Sequence, residues 1–408
     1  MSNKHEIGLF YTLILFASLI VNNMVIGKVD TDNPNMQPND PLFSEQEALF
    51  RKINVFDAWH VTKGDPNILI GVIDNGFDFF HPDIEGNLLP GFYASGGYHT
   101  ECFETIGHGT AVASLIIAGN NNKIGMTGLA PACRVVTASY GSIENKFAKM
   151  QKKFRRENPD AGPKEFGKAL SKYRTELKGF AAHWTQHICL SFAEAIRYLV
   201  DRNVKVINMS SLLKKSLCPP EAWEKLEDAF AYAKEKAVII VVSSGDDGRL
   251  CEDYPGGPDT VIIVGSTLLD DSRWEEILDI KGSKIKQGSS FGKRLTVMAP
   301  TENLQVCGPH LEHVYTREDG PLGPTDADFN ELGAYFVFPN GATSCAAPMV
   351  TSLGALVYSV RPDLDAETVV DIIKESCDDI GEKGFDIYTG YGRINFGKTI
   401  EIALKRYK

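Results

Sequence analysis

Between residues 68 and 266 the chain alternates short unbroken apolar runs with longer stretches of helical periodicity. ILIGVID (68–74), RVVTAS (134–139), VKVINMS (204–210), AVIIVVSS (237–244) and TVIIVGS (260–266) are rich in Val and Ile and lack polar alternation. That pattern predicts strands buried on both faces, as in a parallel sheet. Between them, FAEAIRYLVDRN (192–203) and EAWEKLEDAFAYAKEKA (221–237) space their apolar residues as helices do. Strand–helix alternation predicts an α/β fold, a doubly wound, mostly parallel sheet with helices on both faces. Sites in such folds lie at the carboxyl ends of the strands. The polar and small residues that close those runs are therefore where chemistry is expected.

The N-terminus has a different pattern. Lys4 and His5 precede an apolar run at residues 7–21, IGLFYTLILFASLIV. Fifteen residues are short for a bilayer span of about 20, and the small residues near Gly27 suit cleavage. Residues 1–27 are expected to be a signal peptide, with an uncleaved anchor as the alternative. Either way the protein is expected to be secreted or membrane-anchored outside the cytoplasm. Residues 28–43 then form an N-terminal extension, and residues 44–403 the main domain.

Composition narrows the function classes. With 408 residues, 43% of them apolar, the chain can bury an ample core. Its net charge of −11 argues against nucleic acid as a partner. The eight cysteines, at 102, 133, 189, 218, 251, 307, 345 and 377, include no CxxC pair, so no zinc site is expected. An even count suits disulfides in an exported chain, with Cys218–Cys251 as the suggested pair. The alternative is buried free thiols.

Three run ends carry candidate chemistry. VIDNGFDFFHPDI closes the first strand on Asp74, GHGTAVASLIIAG opens an apolar helix at His108, and NGATSCAAPMV opens another at Ser344. A hydroxyl needs an adjacent base to become a nucleophile, and the base needs an acid to fix its tautomer. Taken singly, each motif reads as a turn, a helix start or a cap. The order Asp…His…Ser is a known arrangement of the three. Thr343 and Ser344 are expected to cap their helix, whose first N–H groups would face a developing oxyanion.

On these motifs the chain resembles the subtilisin-like serine proteases, the subtilases. NDPLFSEQEALFRKINVFDAWHVTKG (39–64), the Asp, His and Ser motifs, VINMSS, YPGGPDTVIIVGST, SSFGKRLTVMAP and TGYGRIN (389–395) follow in the family's order. The resemblance covers about 44–140 and 188–400. It implies a subtilisin-like fold and peptide-bond hydrolysis by an acyl-enzyme route, with Ser344 as nucleophile, His108 as general base and Asp74 orienting it. It also implies that Ser210, Ser211, Leu212, Ser243, Ser244 and Gly245 border the substrate. The chemistry requires no cofactor, and the substrate would be a protein or peptide bound by a monomer.

Several positions depart from the family pattern. The oxyanion loop usually reads Gly-Asn-x-Gly, whereas here it is Gly245-Asp246-Asp247-Gly248. Losing the Asn donor costs on the order of 10²–10³ in turnover, a figure whose worked example is itself a subtilisin. An ionised Asp adds like charge beside the oxyanion. A protonated Asp can donate, but protonating an ordinary Asp at pH 7 costs roughly 4 kcal/mol. Burial can shrink that cost, and neutral carboxyl donors are known. Leu212 and Leu213 stand where glycines usually let substrate approach, so the cleft is expected to be narrowed. Ala342, Cys345 and Asn75 are milder changes, and Asn75 is expected still to hydrogen-bond. These departures keep open a second reading, a catalytically weak or inactive subtilase-fold module that binds peptides or a partner.

Two further segments have paired readings. A basic insertion at about 141–187 repeats apolar residues at helical spacing and turns at Asn158-Pro159-Asp160. It is expected to be a helical hairpin packed on the domain; the alternative is a lid or a docking element for an acidic partner. The GNNNKIGM loop resembles the family's calcium loop. Asp83 and Asn122, with the carbonyls of Ile124 and Met126, would then hold a structural Ca²⁺. The other reading is an Asn-rich turn closed on itself.

Overall fold

The computed structural model describes residues 37–94, 107–140, 157–158, 174–211, 213–257, 259–280, 283–308, 335–340 and 342–406. The chain divides into a short N-terminal unit, Met1–Gln37, and a body, Pro38–Lys408. The expected signal segment 1–27 and most of the insertion lie outside the described residues.

The body opens with helices α1 (Phe43–Lys52) and α2 (Val55–Trp59). Their aromatic side chains cluster edge to face, with Phe50 and Trp59 rings 5.3 Å apart, a favoured ring geometry. Strand β1 (Leu69–Asp74) follows, then β2 (Leu88–Tyr93), helix α3 (His108–Ile117) and β3 (Arg134–Ser139). Helix α4 (Arg174–Asp201) leads to β4 (Val206–Met209), and α5 (Pro220–Glu235) to β5 (Ile239–Ser243) and β6 (Val261–Thr267). The hairpin β7 (Glu275–Ile280) and β8 (Ser283–Gly288) precedes β9 (Val297–Pro300). A second hairpin, β10 (Glu302–Cys307) and β11 (Tyr335–Asn340), precedes helices α6 (Thr343–Val360), α7 (Ala366–Ser376) and α8 (Phe396–Lys405).

Seven strands form one parallel sheet in the order β2-β3-β1-β4-β5-β6-β9. The apolar runs lack alternation because both sheet faces are covered. Ile70, Val72, Val206, Ile239, Val241, Ile262 and Val264 pack on one face with α3 and α6. Ile73, Ile207, Met209, Ile240, Val242 and Ile263 pack on the other with α4 and α5. Helix α6 is apolar and long enough to span a bilayer, but 83% of it is buried in the body, so it is a core helix.

After β1 the chain winds to one side of the sheet, through β2 and β3; after β3 it winds to the other. The carboxyl end of β1 is therefore the switch point where α/β sheets open a crevice. Asp74 is the residue at that end.

The structure departs from the sequence expectations in several places. The helix read at 192–203 is the last part of α4, which begins at Arg174 and so continues out of the insertion. LLPGFY forms β2 despite Pro90, because it is an edge strand and its register shifts between Leu89 and Phe92. Cys218 pairs with Cys189, not Cys251. Cys251 is a buried free thiol, as are Cys133, Cys307 and Cys345.

Candidate active site

The Asp74 side chain is fully buried. Its Oδ1 accepts the Asn75 N–H at 2.8 Å. Both carboxylate oxygens face His108 Nδ1, at 2.8 and 2.9 Å. Two glycines allow that contact. Gly107, at φ 82°, turns the chain into α3 through the left-handed region. A Cβ on Gly109 would lie 2.0 Å from the Gly76 carbonyl oxygen and 3.0 Å from Asp74 Cβ, so only glycine lets α3 start against the end of β1. The acid is dry, while the His108 side chain keeps 31% of its surface exposed. With Nδ1–H assigned to Asp74, Nε2 is the acceptor nitrogen.

Ser344 is the second residue of α6. Its N–H therefore has no acceptor within the helix. Its carbonyl would ordinarily receive the N–H of residue 348, but Pro348 has none. The Ser210 hydroxyl fills that gap, donating to the Ser344 carbonyl at 2.7 Å. The Ser344 hydroxyl in turn donates to the Ser210 carbonyl at 3.0 Å. Asn208 Nδ2 donates to Ser210 Oγ at 2.9 Å, and the Thr351 hydroxyl to Asn208 Oδ1 at 3.0 Å. A buried network thus locks the start of α6 to the end of β4. The sequence reading missed Asn208 and Thr351. The available signal was a polar residue inside the buried run VINM.

The helix-cap expectation needs correction. Neither Thr343 nor Ser344 caps α6; the cap position is Ala342, which has no side-chain acceptor. The acceptor comes from Asp246. Its Oδ1 takes the Thr343 N–H at 2.8 Å and the Thr343 hydroxyl at 2.7 Å. Thr343 Oγ1 also accepts the Gly245 N–H at 3.1 Å. The half-buried Asp246 thus sits at the positive end of α6, one residue before Ser344. Burial, and then the Asp246 charge, push the Cys345 thiol up to about 12.

The bordering residues divide. Ser210 is in the network above, and Ser211 is half-buried beside it. Leu212 lies outside the described residues. Leu213 turns inward, is 8% exposed and packs in the core cluster with Ile207 and Met209. Ser243 ends β5, and Ser244 is fully buried. The Ser244 N–H donates to the Val264 carbonyl at 2.9 Å, and its carbonyl accepts the Tyr254 hydroxyl at 3.0 Å. Its backbone groups are therefore used within the protein. The Gly245 carbonyl accepts the Ser290 N–H at 2.8 Å. Asn75 Oδ1 is buried with no hydrogen-bond partner among the described residues.

The four residues of the calcium reading are brought together, with hydrogen bonds to the Asp83 and Asn122 side-chain oxygens. Asp83 Oδ1 accepts Asn122 Nδ2, and Oδ2 accepts the Met126 N–H, both at 2.9 Å. Asn122 Oδ1 accepts the Ile124 N–H at 2.8 Å. N–H donors surround the carboxylate where a hard cation needs oxygens, so this arrangement does not fit Ca²⁺.

The fold is an α/β protein with a buried acid against a partly exposed imidazole at the end of β1 and a helix-start serine bonded to the chain after β4, the residue types that hydroxyl-nucleophile chemistry uses. The profile of the Subtilase family matches residues 65–392, and the chain belongs to that family of serine peptidases, which act on proteins or peptides. It is 25% identical over 365 residues to the thermophilic serine proteinase of Bacillus sp. (strain AK1), covering 89% of this chain and 69% of that protein. It is 24% identical over 364 residues to thermitase of Thermoactinomyces vulgaris, covering 89% and 99%. The fold is similar to that of fervidolysin from Fervidobacterium pennivorans, with TM-score 0.60 and 21% identity over 90% of this chain and 47% of that one.

Proposed function

We propose that the chain is a serine endopeptidase using Asp74, His108 and Ser344 as its triad. Ser344 Oγ attacks the scissile carbonyl. His108 Nε2 takes the hydroxyl proton and later gives it to the leaving amine, and Asp74 holds Nδ1–H and stabilises the imidazolium. The observation that carries this reading is the pair of contacts from the buried Asp74 carboxylate to His108 Nδ1, at 2.8 and 2.9 Å. The resting Ser344 hydroxyl donates to Ser210. In this reading the hydroxyl leaves Ser210 for His108 when substrate binds.

In this reading the oxyanion is met by the Ser344 N–H and by Asp246 in its protonated form. Thr343 already places two donors on Asp246 Oδ1. The carboxyl proton therefore goes to Oδ2, which becomes a donor. An ionised Asp246 repels the oxyanion instead. Export fits the names of two relatives, the cell wall-associated protease of Bacillus subtilis and the halolysin-like extracellular serine protease Nep of Natrialba magadii.

The second reading, a binding module with little turnover, is favoured by the same Asp246, whose charge suits a helix cap better than an oxyanion hole. Labelling with a fluorophosphonate between pH 5 and 8 separates the two, with Ser344→Ala as control. Labelling that requires Ser344 supports the peptidase. A folded protein that is not labelled at any pH leaves the binding module.

A further inference from the structure

Ser352 and Ser359 of α6 turn their hydroxyls back to the carbonyls of Pro348 and Ala355, each at 2.8 Å. That is the common habit of a hydroxyl inside a helix. Thr351 reaches off the helix: its hydroxyl meets Asn208 Oδ1 of β4 at 3.0 Å. Thr351 lies two turns beyond Ser344, about 10 Å along the helix axis. It and Asn208 are fully buried. Asn208 stands in the middle of the sheet, beside Val72 of β1 and Val241 of β5. An apolar pair of the same shape would hold that place at little or no cost.

The contacts fix where each proton of this buried chain goes. The Ser344 carbonyl can only accept, and Pro348 denies it a helix donor. Ser210 Oγ is 2.7 Å away, so the one Ser210 hydroxyl proton points there. Toward Asn208, Ser210 Oγ can then only accept, so the Asn208 atom at 2.9 Å is Nδ2. That turns Oδ1 toward Thr351, which must be the donor. The Ser344 hydroxyl completes the set by donating to the Ser210 carbonyl at 3.0 Å. Four donors serve four acceptors, with Thr351 at the far end.

We infer that Thr351 is a positioning residue for Ser344, acting through Asn208 and Ser210. Its proton holds the Asn208 amide with Nδ2 toward Ser210. The amide sends the Ser210 proton to the Ser344 carbonyl. That bond fixes the main chain of Ser344 while its side chain leaves the Ser210 carbonyl. Without the Thr351 hydroxyl, three donors serve four acceptors. Turning the amide over then lets Oδ1 take the Ser210 proton, and the Ser344 carbonyl goes without. Each bond in such a chain also polarises the next. The effect on the nucleophile rests on the peptidase reading; the bond to the Ser344 carbonyl does not.

The test uses the full chain. Thr351→Val keeps the shape and removes the hydroxyl, whereas Thr351→Ser keeps the hydroxyl. Ser210→Ala and Ser210→Ala/Thr351→Val complete a cycle. Near-UV circular dichroism shows that each variant is folded. The rate of fluorophosphonate labelling reports on the nucleophile. Serine ¹³C-labelled at its carbonyl, combined with ¹⁵N-cysteine, reports on the Ser344 carbonyl by NMR. Ser–Cys bonds occur at 344–345 and 376–377, and Cys377→Ala identifies the second signal. Thr351→Val should slow labelling roughly tenfold and move the Ser344 signal in the direction that Ser210→Ala moves it. Thr351→Ser should label at nearly the parent rate and leave the signal in place. In the Ser210→Ala background Thr351→Val should cost little more. An unmoved Ser344 signal in Thr351→Val overturns the inference. So does Thr351→Ser slowing as much as Thr351→Val, or an undiminished cost in the Ser210→Ala background. If the parent protein is not labelled at any pH, the peptidase reading fails, and the carbonyl signal alone decides whether Thr351 governs Ser344.

Discussion

The carboxylate of Asp246 accepts both the backbone N–H and the hydroxyl of Thr343, at 2.8 and 2.7 Å, one residue before Ser344. One oxygen thus caps the helix that carries the serine. In the proposed peptidase the other is the oxygen that would meet the oxyanion. A residue that looks like a simple loss from the sequence is a structural acceptor.

Asp246→Asn separates those two roles. An amide keeps an acceptor oxygen for Thr343 and adds a permanent donor. Turnover near pH 7 should rise by about 10²–10³. Asp246→Ala removes the cap, costs about 0.5–2 kcal/mol of stability and gives no gain in turnover. Steady-state rates from pH 5 to 8 and thermal unfolding of both variants check this. Equal rates for the parent protein and Asp246→Asn at every pH would show that the oxyanion lies elsewhere.

Asp74→Asn tests the acid. The side chain is fully buried and touches His108 Nδ1 with both oxygens. An amide there presents N–H to Nδ1 and favours the wrong tautomer. Turnover at saturating substrate should fall by about 10⁴. A fall of less than tenfold would mean that His108 does not need this partner.

Cys345 adjoins the nucleophile, yet burial and then the Asp246 charge push its thiol up to about 12. Only 4% of it is exposed. In the folded protein iodoacetamide at pH 8 should leave it unmodified, as read by peptide mass spectrometry. Cys345→Ala should keep turnover within a few-fold. Rapid alkylation coupled to loss of activity would assign it a chemical role.

The sheet was legible because its signal is local. Runs such as AVIIVVSS are apolar throughout, and the packing of Ile239 and Val241 on one face and Ile240 and Val242 on the other explains why. The Asp74–His108 pair was legible because both residues sit at run ends and Gly109 must be glycine for them to meet. What was not legible depended on distant partners. That Asp246 caps α6 depends on a contact across 97 residues. That Leu213 turns into the core could not be read from its replacing a glycine. The Cys189–Cys218 pairing depends on how α4 passes the end of β4, which spacing does not encode.

A last prediction concerns stability in acid. After α6, Arg361 holds Asp363 through two bonds, at 2.8 and 2.7 Å, and donates to the Ala403 carbonyl of α8 at 3.1 Å. The hydrogen bond from Arg361 holds the Asp363 carboxyl down at about 2, against an ordinary 3.8. Between those values the unfolded chain binds more protons than the folded one. The contribution is therefore fully present above pH 3.8 and is lost as pH falls toward 2. Because Asp363 is exposed, the effect is small and screened by salt. Asp363→Asn should lower the thermal midpoint slightly at pH 6 in low salt. The difference from the parent protein should narrow below pH 3.8 and close near pH 2. A gap that persists unchanged at pH 2 would place the effect in backbone or packing changes, not in the Arg361 pair.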